Sequence, residues 1–78
     1  MEEGTSLDRL MPGSRGLVEE ISAQGAMRRR LQDLGFVAGA QVECLGKSPL
    51  GDPSAYGVRG AVVALRRRDA RLVEIRPL

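Results

Sequence analysis

Two arginine triplets (Arg28, Arg29, Arg30 and Arg66, Arg67, Arg68), a lone thiol at Cys44 and scattered carboxylates supply the reactive groups of this 78-residue chain, which has no histidine. Without imidazole, neither a Ser-His-Asp nor a Cys-His site can be built, and the commonest general base is missing. No glycine-rich loop followed by Lys-Ser or Lys-Thr is present to cradle a phosphate, so the chain is not expected to bind and hydrolyse GTP itself. The expectation is a protein that is not an enzyme. Metal chemistry is also poorly supplied, because iron(II) favours imidazole and carboxylate while zinc favours thiolate and imidazole. Glu19, Glu20 and Asp52 offer carboxylates for weak divalent metal binding, alone or with a second copy, and they equally fit a solvated acidic surface. No cofactor is implied.

Binding chemistry remains. Arg28 and Arg29 offer forked donors to carboxylates of a partner. The stretch 49–53 sets Leu50 between two prolines, and a stiff loop loses little entropy on binding. Asp52 lies in the same loop and Tyr56 follows in position to brace it. The partner-binding candidates are therefore Arg28, Arg29, Leu50, Asp52 and Tyr56, with a wet helix face and a plain hairpin connection as the ordinary alternatives. A polyproline groove needs several aromatics, and only Phe36 and Tyr56 exist. Nucleic acid is disfavoured for a similar reason: stacking aromatics are scarce, and twelve basic residues are nearly cancelled by ten acidic ones, leaving a net charge of +2.

These side chains need elements to position them. Met27, Leu31 and Leu34 fall on one helical stripe, and Gly35 suits the left-handed position just past the helix end. Arg29 points away from that stripe; Arg28 and Arg30 flank it, with Arg30 nearer the core and in reach of Asp33. Ser6 is placed to cap a short helical turn over 6–10. Residues 11–14 read as a turn. Residues 15–21 read as a strand in which Val18 and Ile21, three apart, require a bulge. Strands follow at 41–46, 55–59, 61–65 and 71–76, with Val42, Cys44, Val73 and Ile75 facing inward. A tight turn at 37–40 places Gly39 at positive φ, and 66–70 reads as a turn or a single helical turn.

The pattern is mainly β with one or two short helices, a small partly open β-barrel. Residues 1–5 are expected to be a loose N-terminus and 6–78 a single domain. An unpartnered Cys44 excludes an internal disulfide and fits a reducing compartment. No run approaches the length of a membrane span. The strand from Leu72 to Ile75 carries few charges, so edge-to-edge homo-oligomer formation is open.

The order Leu10-x-Pro12-Gly13-x-x-Gly16-x-Val18, then Gly25-x-x-Arg28-Arg29-Arg30-Leu31-x-Asp33-Leu34-Gly35-Phe36-Val37-x-Gly39-Ala40, then residues 48–53, Tyr56-x-Val58-Arg59-Gly60 and Ala64-Leu65-Arg66-Arg67-x-Asp69-Ala70, resembles the FeoA family. Ala38 stands where many members carry proline. The resemblance implies an SH3-like barrel, a cytoplasmic accessory of bacterial ferrous iron uptake, and protein-protein contact with the cytosolic GTPase part of the iron permease. It also leaves a second reading, a regulatory or nucleic-acid-associated domain akin to the C-terminal domain of metal-dependent repressors.

Overall fold

The computed structural model describes residues 4–78. Its strands are β1 (Thr5–Ser6), β2 (Arg15–Ile21), β3 (Gln41–Lys47), β4 (Ser54–Val58), β5 (Ala61–Leu65) and β6 (Val73–Pro77). They form one antiparallel sheet in the order β1-β6-β2-β3-β4-β5. A 3-10 turn (Leu7–Arg9), helix α1 (Gly25–Asp33) and the single-turn helix α2 (Arg67–Ala70) complete it. The inward side chains of the strands meet those of the helices in one aliphatic core around Phe36 and Tyr56, so the sheet behaves as a partly open barrel whose two edge strands do not pair with each other.

Alternation explains most of this. Val42 and Cys44 on β3, Tyr56 and Val58 on β4, and Val73 and Ile75 on β6 are buried, while their neighbours face outward. Both Val18 and Ile21 are buried because the β2–β6 register shifts between Val18 and Glu20, the bulge that their spacing demands. Gly16 lies where β2 crosses β6: an added Cβ would stand 2.9 Å from Ile75 Cδ1 and 3.1 Å from the Arg76 carbonyl oxygen. A larger residue there would require the Ile75 side chain and the β6 backbone to give way.

Helix α1 has Leu31 fully buried and Met27 and Leu34 half-buried, the expected stripe. Gly35 at φ +115° ends it. Its N–H donates to the Gln32 carbonyl at 3.0 Å, and the Phe36 N–H to that of Leu31 at 3.1 Å, the paired bonds of a Schellman ending. This turns Phe36 into the core.

Two expectations change. Thr5 is not part of a loose start: it pairs with Ile75 in the ladder, while residues 1–3 of that segment lie outside the described residues. Ser6 flanks the 3-10 turn without capping its backbone, and its hydroxyl donates to the Asp8 carboxylate instead.

Candidate partner-binding surface

The loop over 48–53 joins β3 to β4 and is closed by its own polar groups. Ser48 N–H donates to the Pro53 carbonyl at 3.0 Å and Gly51 N–H to the Ser48 carbonyl at 2.7 Å. The Asp52 N–H donates to Ser48 Oγ at 3.0 Å. Asp52 Oδ1 accepts the Arg67 N–H at 2.8 Å, the first donor of α2. Four bonds thus fix a short loop, and at its tip Leu50 is 93% exposed. It is the most exposed of the described large apolar side chains, ahead of Val62, Leu78 and Met11.

Asp52 therefore has a structural task that sequence did not show: it supplies the N-terminal acceptor that α2 lacks from its own Arg66. One of its two carboxylate oxygens is thereby engaged within the fold. Tyr56 is corrected as a partner contact. It is 1% exposed, in the core, and its hydroxyl donates to the Leu7 carbonyl at 3.4 Å. Burial pushes its pKa up, with a smaller opposing effect from Ser54. It cannot touch a partner while the fold is intact.

The arginines of α1 divide by position. Arg28 Nη1 donates to the Ile21 carbonyl at 2.9 Å, which ties the helix start to the end of β2 and leaves the rest of the fork outward. Arg29 is exposed and, among the described residues, makes no ion pair or hydrogen bond. Arg30 pairs with Asp69 of α2 at 3.8 Å rather than with Asp33. Such a long, solvated pair adds at most about 1 kcal/mol.

The carboxylates considered for a metal do not converge. Glu19 pairs with Arg76 at 2.8 Å, Glu20 lies opposite Glu74 in the ladder, and Asp52 holds α2. Among the described residues no three Cys, Asp or Glu side chains cluster as ligands.

Residues 5–77 match the model of the FeoA domain. The chain belongs to the FeoA family. Over 69 residues it is 32% identical to an Fe(2+) transport protein A/Fe(2+) transporter FeoB fusion protein of Porphyromonas gingivalis, covering 88% of this chain but 8% of that relative. The FeoA protein of Chlorobium tepidum has a solution structure that superposes with a TM-score of 0.87 at 38% identity, covering 95% of this chain and 70% of the other. Stenotrophomonas maltophilia FeoA, solved with zinc and described as a procaryotic SH3 domain protein, matches with a TM-score of 0.81 at 33% identity over 91% of this chain and 88% of its own. The small barrel is thus SH3-like, as FeoA resemblance implied. A manganese-dependent transcriptional repressor shares the fold, with a TM-score of 0.86 at 20% identity, covering 100% of this chain and 44% of the repressor.

Sequence reasoning missed one part of the surface. It took residues 72–75 for the open edge, yet β6 lies inside the sheet between β1 and β2. The long free edge is β5, Ala-Val-Val-Ala-Leu, with Val62 73% exposed. Its lack of charge was visible, but its place at the edge depends on sheet order.

Proposed function

We propose that this chain is a cytoplasmic, non-catalytic accessory of ferrous iron uptake that binds the cytosolic GTPase part of an iron permease. The observation that carries the reading is the P. gingivalis fusion, in which a FeoA-like segment and an Fe(2+) transporter FeoB share one polypeptide. Fusion holds two modules at high effective concentration, which favours partners that otherwise meet by diffusion. The surface supports the reading. Leu50 supplies an apolar anchor on an ordered loop, and Arg29 with the outer part of Arg28 supplies forked donors for carboxylates. No described helix is long and apolar enough to cross a membrane.

Calorimetric titration of the permease's soluble GTPase domain with this chain, with and without a GTP analogue, tests the reading. Saturable one-to-one binding is expected in at least one nucleotide state. No heat or pull-down in either state overturns it. The repressor-like alternative draws on the fold alone, which different functions share. A gel-shift at low salt that is lost steeply at moderate salt would favour it.

A further inference from the structure

We infer that the β5 edge is a docking site for an extended strand of another protein whose short apolar run is flanked by acidic residues. The inference deepens the accessory reading and rests on it for biological context. Among the described residues β5 pairs with β4 alone. The β4–β5 hairpin closes through Arg59 (φ 51°) and Gly60 (φ 82°), so Val58 and Ala61 form its last pair. A turn with both central residues at positive φ makes that pair hydrogen-bonded. Antiparallel alternation then turns Ala61, Val63 and Leu65 toward β4 and leaves the backbone donors and acceptors of Val62 and Ala64 pointing off the edge. None of these groups is taken up by a turn or a side chain among the described residues. Edge strands of this length normally carry a charge, a proline or a bulge that discourages pairing. β5 has none.

The outer face beside this edge is apolar too. Leu45 is 47% exposed, lies over Gly57, and helps line an open depression of about 370 Å³ with Ala55, Ala64 and Pro53. An added strand would set its alternate side chains against this face, with Leu50 on the loop beyond Pro53.

Charge selects the occupant. Arg59 precedes β5, and Arg66, Arg67 and Arg68 follow it, all exposed. A second copy pairing antiparallel about Val63 would set Arg67 opposite Arg59 of that copy, and like charges facing each other across strands are unfavourable. A strand with acidic ends meets complementary charge at both termini, in either direction. The nearest acids of this chain offset that field only in part: Asp69 pairs with Arg30 at 3.8 Å and Glu43 lies opposite Arg15 in the ladder, which leaves Asp52, bonded to the Arg67 backbone N–H, as the one acid set beside four arginines.

The test uses the full chain, ¹⁵N-labelled, titrated with a synthetic peptide of alternating valine and threonine bearing paired aspartates at both ends. The amides of Val62 and Ala64 should shift first and become protected from exchange, and a peptide with lysines at its ends should bind about tenfold more weakly or worse. Ala64→Pro removes an outward N–H without breaking the ladder to β4, and should abolish binding. Val62→Lys, a milder change, should weaken it if the proline variant does not fold. Shifts centred elsewhere, equal binding of both peptides, or a concentration-dependent dimer lost in Val62→Lys would overturn the inference, the last by showing that a second copy is the occupant. If the permease domain binds wild type and both variants alike, the edge inference fails while the accessory reading stands. If the acidic peptide binds and the permease domain does not, the reverse holds.

Discussion

Replacing Leu50 by alanine separates binding from folding more cleanly than any other substitution in this chain. Leu50 is 93% exposed, so the change uncovers nothing in the folded state. Stability should move by less than about 0.5 kcal/mol, the range of ordinary surface changes. For a domain this small that is a midpoint shift below about 4 °C. Association is different. If Leu50 is buried against the permease domain, the substitution removes three carbons from the interface at about 0.8 kcal/mol each, or about 2 kcal/mol in all. That weakens binding about 30-fold at 25 °C. The loop is already fixed by four bonds, so little of this is offset by ordering entropy. Isothermal titration of wild type and Leu50→Ala against the soluble GTPase domain, with thermal melts of both, measures the two quantities. A dissociation constant within about twofold of wild type, with an unchanged melt, would refute Leu50 as an anchor.

Asp52→Ala removes the acceptor for the Arg67 N–H and should cost about 1 kcal/mol, while Asp52→Asn keeps an acceptor and should recover most of it; chemical denaturation reads the difference, and amide exchange should rise at 48–53 only in the alanine variant. Gly35→Ala forces a side chain into φ +115°; its Cβ would stand 3.4 Å from Arg59 Cδ and 3.5 Å from Val58 Cγ1, ordinary contacts, so the loss of about 1–2 kcal/mol should be backbone strain. A denaturation midpoint unchanged from wild type would contradict the helix ending. Tyr56→Phe should cost under about 1 kcal/mol at neutral pH, because the hydroxyl makes one long bond and the Leu7 carbonyl keeps the Leu10 N–H at 3.1 Å. The same variant should flatten the alkaline limb of stability. The raised folded pKa leaves stability full below the unfolded value near 10.0 and lets it fall as pH rises from there through the folded value. An alkaline limb identical to wild type would refute burial of that ring.

Sequence revealed those features governed by near neighbours in the chain. The α1 stripe, the glycine at its end, the bulge between Val18 and Ile21 and the inward positions of β3 and β6 all follow from local periodicity, and the structure has each of them. What escaped depends on which distant segments meet. Tyr56 alternates like a strand residue in either case; it is core rather than contact because distant segments close over it, Leu7, 49 positions away, among them. Asp52 reads as a loop acid until α2 arrives 15 positions later and needs its first donor accepted. Arg30 had Asp33 within helical reach and pairs instead with Asp69, which the return of the chain brings across. The position of β5 at the edge likewise follows from sheet order, which no five-residue stretch encodes.

Helix α2 is too short to hold itself. Four residues cannot overcome the cost of helix nucleation, and the Arg30–Asp69 pair is too solvated to do so. What remains is the burial of Ala70 and the acceptor that Asp52 offers. The dependence runs both ways, since the loop presenting Leu50 is tied down at its far end by the same bond. Loop and helix therefore order each other, and a partner that meets Leu50 meets, through Asp52, a structure continuous with Arg67 and Arg68. Binding at the loop tip should then raise protection of α2 amides even where the partner does not touch them. Hydrogen exchange on the complex would show this directly, and in Asp52→Ala the added protection should vanish from α2 while any contact at Leu50 persists. Protection of α2 that survives in that variant would mean the helix is held by the partner itself, and the coupling through Asp52 would be disproved.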